Sequence, residues 1–306
     1  METTESRALD GKGTGEKAKG TVPSGSPASG APEPTAKTSV GRGSSKTEAH
    51  AAVAAFRKRV AATKGAGKFL LDPVELANRV GFLVDRPDRV TQGRLNVCGP
   101  AAFLRVWIPR DPLGFVNLAL GLYEKGHGYL GKRRIEPGDD LRSQKWQPSW
   151  QCETADWMVT SSLRDDENWL LDFEGTPEED VSAITTPGEV AEWLRESQVY
   201  RHVRDEGNLF MNKGAKHALG LTPDLATDVI VLINARILPD GFPKSWYDFV
   251  LNWFPSHYIV LLSWIRETSD RKLAFQYWTY GQTPPPAVIP AKTFDDGYFG
   301  AVIAQT

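Results

Sequence analysis

The sequence predicts an α+β fold, and three observations carry that expectation. Segments with helix formers, caps and apolar faces fill the first part of the chain. A continuous β-branched run, Asp228 to Asn234, then reads as a strand covered on both faces. Two further strand-like runs follow it, His257 to Arg266 and 273–280. Helices first and strands afterwards favour helices packed on an antiparallel sheet over alternating βαβ units.

Taken in order, residues 1–46 are Gly, Ser, Pro, Thr, Ala and Lys with hardly an apolar side chain, too few to offset the entropy of ordering. This segment is expected to be a disordered tail, and residues 47–306 the folded domain. An alanine-rich stretch from Thr47 to Lys64 favours helix. Asp72 as cap and Pro73 at the first helical position start a second. Asp111 and Pro112 start another, with Phe115, Leu118, Leu120 and Leu122 for burial, running to Lys125 and Gly126. Residues 128–186 carry turns, tryptophans and charges. Arg133, Arg134, Asp139, Asp140, Asp165, Asp166 and the run Glu178 to Asp180 are expected on solvated faces. Thr186, Pro187 and Glu189 form a capping-box pattern.

Composition sets the broad class. A chain of 306 residues, 41% hydrophobic and with 10 Trp, is long enough for a sizeable packed core. A formal net charge of −2 gives no electrostatic footprint for nucleic acid or an anionic membrane. No run reaches the length of a membrane span, and the first residues, Met1 to Ser6, lack the basic and apolar regions of a signal peptide. The two cysteines form no disulfide framework, which points to a reducing working compartment.

The most informative segment is Gln92 to Phe103. Cys98 opens an apolar run of Ala101, Phe103, Leu104, Val106 and Trp107, and Gly99 and Pro100 are acceptable only in a first helical turn. A thiol at a helix N-terminus gains thiolate character from the unpaired N–H groups and the dipole. Acyl chemistry on cysteine also needs a base and an oxyanion donor. His257, opening a strand, and Gln92, six residues before the cysteine, are the candidates.

Gln92, the run Cys98-Gly99-Pro100-Ala101-Ala102 and the distant His257-Tyr258-Ile259-Val260-Leu261 together resemble the papain-like cysteine peptidases, over about residues 88 to 285. The similarity is greatest to the branch that processes bacteriocin leaders and to related bacterial effector toxins. It implies a helix bearing the catalytic Cys98 packed on an antiparallel sheet bearing the catalytic His257, with Gln92 in the oxyanion hole. It also implies a thiol protease without cofactor or metal that cleaves amide bonds in a protein or peptide substrate. As an effector it would be made in the cytoplasm and secreted into a target cell by a specialised system. If it is a toxin, an immunity protein would neutralise it. A peptidoglycan amidase, a deamidase or acyltransferase, and a catalytically silent binding module are the other occupants of such a scaffold.

Family members usually carry Asp or Asn on the strand after the histidine, followed shortly by glycine. This chain runs from Leu273 through Gln276 and Thr279 to Gly281. A hairpin turning around Thr268 to Asp270 places Thr279 roughly opposite Ile259, one pair from His257. A hydroxyl there accepts from the imidazole but cannot stabilise imidazolium as a carboxylate does. An earlier turn would give the position to Gln276.

Other chemistry is thinner. His127, His202 and His217 lack zinc spacing and read as surface or satisfied core residues. The glycines of Gly126 to Gly131 follow a helix and lack the lysine of a phosphate loop. Cys152 lies beside Glu153, which would raise a thiol pKa, and reads as a buried small residue. The aromatic groups Trp146, Trp150, Trp157 and Trp169, and Trp246, Tyr247, Phe249, Trp253 and Phe254, read as core, with the loops before His257 able to line a cleft.

Overall fold

Caps place the helices of this computed structural model, which describes residues 44–62, 67–167, 185–239 and 254–306. Helix α1 (Lys46–Ala62) starts from a reciprocal box: the Glu48 N–H donates to the Ser45 hydroxyl at 3.2 Å, and the Ser45 N–H donates to the Glu48 carboxylate at 2.9 Å. The Ser44 hydroxyl bonds Asp111 and accepts the Leu113 N–H at 2.8 Å. The folded region therefore includes Ser44 and Ser45, which composition assigns to the tail. Residues 1–43, and Thr63 and Lys64 of the expected first helix, lie outside the described residues.

Asp72 caps α2 (Pro73–Asp85) by accepting from the Val74 and Glu75 N–H groups, both at 2.8 Å. Helix α3 (Cys98–Trp107) is buried along most of its length. Asp111 caps α4 (Pro112–Lys125), which ends on Gly126 in the left-handed region at φ 79°. The glycines beyond it form a small hairpin, β1 (Gly128–Leu130) with β2 (Arg133–Ile135), so no phosphate loop is built there. Then come α5 (Asp139–Ser143), α6 (Thr154–Glu167) and α7 (Pro187–Glu196). Both bonds of the Thr186–Glu189 capping box are present.

Strand β3 (His202–Asp205), helix α8 (Gly214–Ala218) and strand β4 (Thr227–Ile233) precede β5 (His257–Leu261). After them come β6 (Arg266–Glu267), β7 (Lys272–Phe275), β8 (Tyr277–Trp278), β9 (Ala287–Pro290) and, past a short helix, β10 (Tyr298–Gln305). The main sheet is antiparallel with order β3-β10-β4-β5-β8, and β4 is central, as its β-branched run predicts. Alternation divides its side chains between two cores. Ile230, Leu232, Tyr258 and Val260 join the core formed with the helices. Val229, Val231, Ile259 and Leu261 join a second core with Leu273, Phe275, Ala287 and Ile289 of the three-stranded sheet β6-β7-β9. The fold is α+β, with helices on one face of the main sheet and a small antiparallel sheet on the other.

Two expectations need correction. The run 273–280 is not one strand: β7 belongs to the small sheet and β8 to the main one. The break is at Gln276, whose N–H donates to the Ser263 hydroxyl at 2.8 Å. The expected solvated charges are also not all solvated. Arg133 is four-fifths buried and pairs with Asp166 at 2.8 Å, Glu167 at 2.6 Å and Glu192 at 3.0 Å, because the β1–β2 hairpin seats it against α6 and α7. Glu178 to Asp180, Trp169, Trp246, Tyr247, Phe249 and Trp253 lie outside the described residues. Among the described residues no helix is long and apolar enough to cross a membrane.

Candidate functional site

β5 and β8 pair in the register Val260 to Trp278 and Leu261 to Tyr277. One step further along the same register sets Thr279 beside Ile259, on the face shared with His257. The side chains meet: His257 Nε2 and the Thr279 hydroxyl are 2.7 Å apart, and both residues are buried. Gln276 is engaged elsewhere, its amide donating to the Pro284 carbonyl at 2.7 Å. Of the two residues that sequence offered to hold the imidazole, Thr279 is the one in contact with it.

Thr279, just past β8, opens a two-residue turn. Thr279 and Gln282 exchange N–H to carbonyl bonds at 3.0 and 2.9 Å, and Tyr280 and Gly281 between them have φ of 46° and 73°. Positive φ at both central residues is the twist that suits a tight hairpin, although for tyrosine it costs roughly 1 kcal/mol. The turn stacks the Tyr280 ring on the His257 imidazole, with centroids 4.3 Å apart and planes 8° from parallel. Its tip rests on the chain leading to Gln92: a Cβ at Gly281 would stand 2.9 Å from the Val90 carbonyl oxygen. The Trp278 indole N–H donates to the Asp88 carbonyl at 2.7 Å in the same contact.

Gln92 is 6% exposed and opens a turn in which its carbonyl accepts the Leu95 N–H at 3.1 Å, just before α3. Cys98 is the first residue of that helix and is partly exposed. The α3 N-terminus is seated closely, since a Cβ at Gly99 would lie 2.6 Å from Thr185 Cγ2. The Tyr258 hydroxyl donates to the Thr185 carbonyl at 2.9 Å, tying β5 to the same place. The backbone N–H groups of Tyr258, Gly99 and Cys98 itself lie near enough to the Cys98 sulfur to favour its thiolate. The thiol is thus placed against the residue that follows His257.

Burial governs the electrostatics. Desolvation pushes the Cys98 thiol pKa up, although the three N–H groups and the Arg164 guanidinium pull it down. The N–H groups of the helix N-terminus act in the expected direction, and desolvation outweighs them. Desolvation also pushes His257 down to about 3, and Thr279 offers no charge to oppose it. At neutral pH the Cys98 thiol and the His257 imidazole are each in the neutral form. The Cys152 thiol is held well above its ordinary range, first by burial and then by Asp156, and donates to the Thr91 carbonyl at 3.4 Å.

His217 lies between the Tyr298 hydroxyl at 2.6 Å and Glu206 at 2.9 Å, a satisfied side chain far from Cys98 in sequence, and Tyr298 belongs to the opposite core. Among the described residues no group of His, Cys, Asp or Glu is arranged to hold a metal ion. No protein-family model, curated protein or solved structure matches this chain.

Sequence reading missed Tyr280. Its signal was the pair Tyr280-Gly281, since glycine in the second place of a two-residue loop marks a tight hairpin.

Proposed function

We propose that the chain is a papain-like thiol hydrolase that cleaves amide bonds, peptide bonds first among them, through Cys98, His257 and Gln92. The observation that carries this reading is the buried hydrogen bond between His257 and Thr279, with Cys98 heading the helix that packs on the strand His257 opens. With Nε2 turned to Thr279, Nδ1 is the nitrogen left to take the thiol proton. The sulfur attacks the carbonyl carbon as that proton passes to His257. The imidazolium then protonates the leaving amine as the C–N bond breaks. Water, deprotonated at His257, cleaves the thioester and returns the thiol. Gln92 donates its amide to the carbonyl oxygen while that oxygen carries negative charge.

The neutral resting pair makes proton transfer from Cys98 part of the chemical step rather than a precondition of it. The same observation favours one second reading, a catalytically silent papain-like binding module, in which the imidazole never takes the proton. A quenched-fluorescence peptide library separates the two. The hydrolase reading requires turnover that is lost in Cys98→Ala and in His257→Ala, each matched to wild type by circular dichroism. Full turnover in either variant overturns it.

A further inference from the structure

Immediately before Gln92, every polar group of Thr91 is engaged by a buried ion pair and its neighbours. Asp156, on α6, is completely buried and pairs with Arg79 of α2, at 2.7 Å from Nε and 2.9 Å from Nη2. The same carboxylate accepts the Thr91 N–H at 2.6 Å and the Thr91 hydroxyl at 3.2 Å. The Thr91 hydroxyl accepts the Glu153 N–H at 3.2 Å, the Thr91 carbonyl takes the Cys152 thiol, and Arg79 Nη2 reaches the Arg89 carbonyl at 2.6 Å. On its other side this stretch carries the Gly281 turn and the Trp278 indole.

Burying a charged pair is costly, and hydrophobic residues of similar volume often serve stability as well or better. What such residues do not supply is orientation: here Asp156 of α6 holds the Thr91 N–H, while the Arg79 fork from α2 holds that carboxylate and the Arg89 carbonyl. The segment so fixed ends at Gln92 and supports the turn that holds Thr279 and Tyr280 against His257. We infer that Asp156 and Arg79 are positioning residues that set the Gln92 amide relative to the Cys98–His257 site. This rests on the hydrolase reading, and it assigns the pair an effect on the oxyanion step rather than on the thiol.

Two reagents separate those effects. Acyl transfer from p-nitrophenyl acetate to Cys98 forms a C–S bond and expels nitrophenolate with the electron pair of the C–O bond. The thiol proton leaves by way of His257, and an oxyanion develops on the way. Alkylation by iodoacetamide displaces iodide from carbon and develops no oxyanion. Asp156→Asn and the charge-free pair Asp156→Asn with Arg79→Gln are measured with both reagents, alone and in a Gln92→Ala background; the double variant guards against misfolding from a lone buried arginine. Acylation is expected to fall about tenfold to a hundredfold while alkylation holds, and neither change should add to Gln92→Ala. Arg79→Lys alone, which keeps the charge, should lower acylation less than Asp156→Asn does. Unchanged acylation, losses that multiply with Gln92→Ala, or equal loss with both reagents overturns the inference. If wild type fails to acylate at Cys98, or Gln92→Ala itself acylates at the full rate, the hydrolase reading fails and takes the inference with it.

Discussion

His257 Nε2 stands 2.7 Å from the Thr279 hydroxyl at the buried end of the main sheet, with the Tyr280 ring stacked on the same imidazole. The histidine is oriented by a neutral hydroxyl, which fixes its direction without adding a charge to stabilise imidazolium. Most of the chemical behaviour expected of the site follows from that relationship.

Substitution at Thr279 is the first consequence. Thr279→Asn retains an acceptor and should preserve or improve acyl transfer. Thr279→Val, of the same shape but without the hydroxyl, loses a hydrogen bond worth about 1 kcal/mol and should slow it roughly fivefold to tenfold. Equal rates for wild type, Asn and Val would remove Thr279 from the site.

Acid stability is the second. The folded pKa of His257 is about 3, below the 6.5 of the unfolded chain, so between these values the unfolded state binds the extra proton. Stability from the neutral imidazole is complete above pH 6.5 and is lost as pH falls toward 3, to the extent of roughly 4–5 kcal/mol by linkage. Urea denaturation at a series of pH values should show this slope in wild type and a flatter one in His257→Gln. Parallel curves would place the acid sensitivity elsewhere.

Thiol reactivity gives the third. Burial raises the Cys98 pKa and lowers that of His257, and both shifts disfavour a thiolate–imidazolium pair at rest. Iodoacetamide alkylation of Cys98 should climb only on the alkaline side, without a shoulder between about pH 4 and 8. A neutral-pH shoulder that His257→Ala abolishes would establish a preformed ion pair instead.

Gln92 supplies the fourth. Removal of one oxyanion donor typically costs about a hundredfold to a thousandfold in kcat. Gln92→Ala should therefore lower kcat on a cleaved peptide and leave KM nearly unchanged. A raised KM with unchanged kcat would make Gln92 a substrate-binding residue only.

Much of this architecture was legible because local rules and tertiary structure agreed. Asp72, Asp111 and Thr186 cap helices where their spacing says they should, since a cap satisfies backbone groups within one turn. The position of Thr279 beside Ile259 followed from counting residues around a turn near Thr268, where Arg271 closes the loop on the Thr268 carbonyl at 3.1 Å. The division of these strands between two sheets was not legible, because β6 and β8 are only two residues each and the break at Gln276 depends on a hydroxyl 13 positions away. Asp156 and Arg79 are 77 positions apart, beyond any local pattern. The thiol environment was half legible for a related reason: the helix N-terminus at Cys98 is visible in sequence, whereas the burial that outweighs it is not.

The central claim is tested most directly by intact mass and peptide mapping after treatment with an epoxysuccinyl thiol inhibitor. One adduct is expected, on Cys98, strongly slowed in His257→Ala and absent in Cys98→Ala, with Cys152 untouched in the folded protein. No adduct on Cys98, or labelling that proceeds equally at Cys152 and without His257, would contradict it.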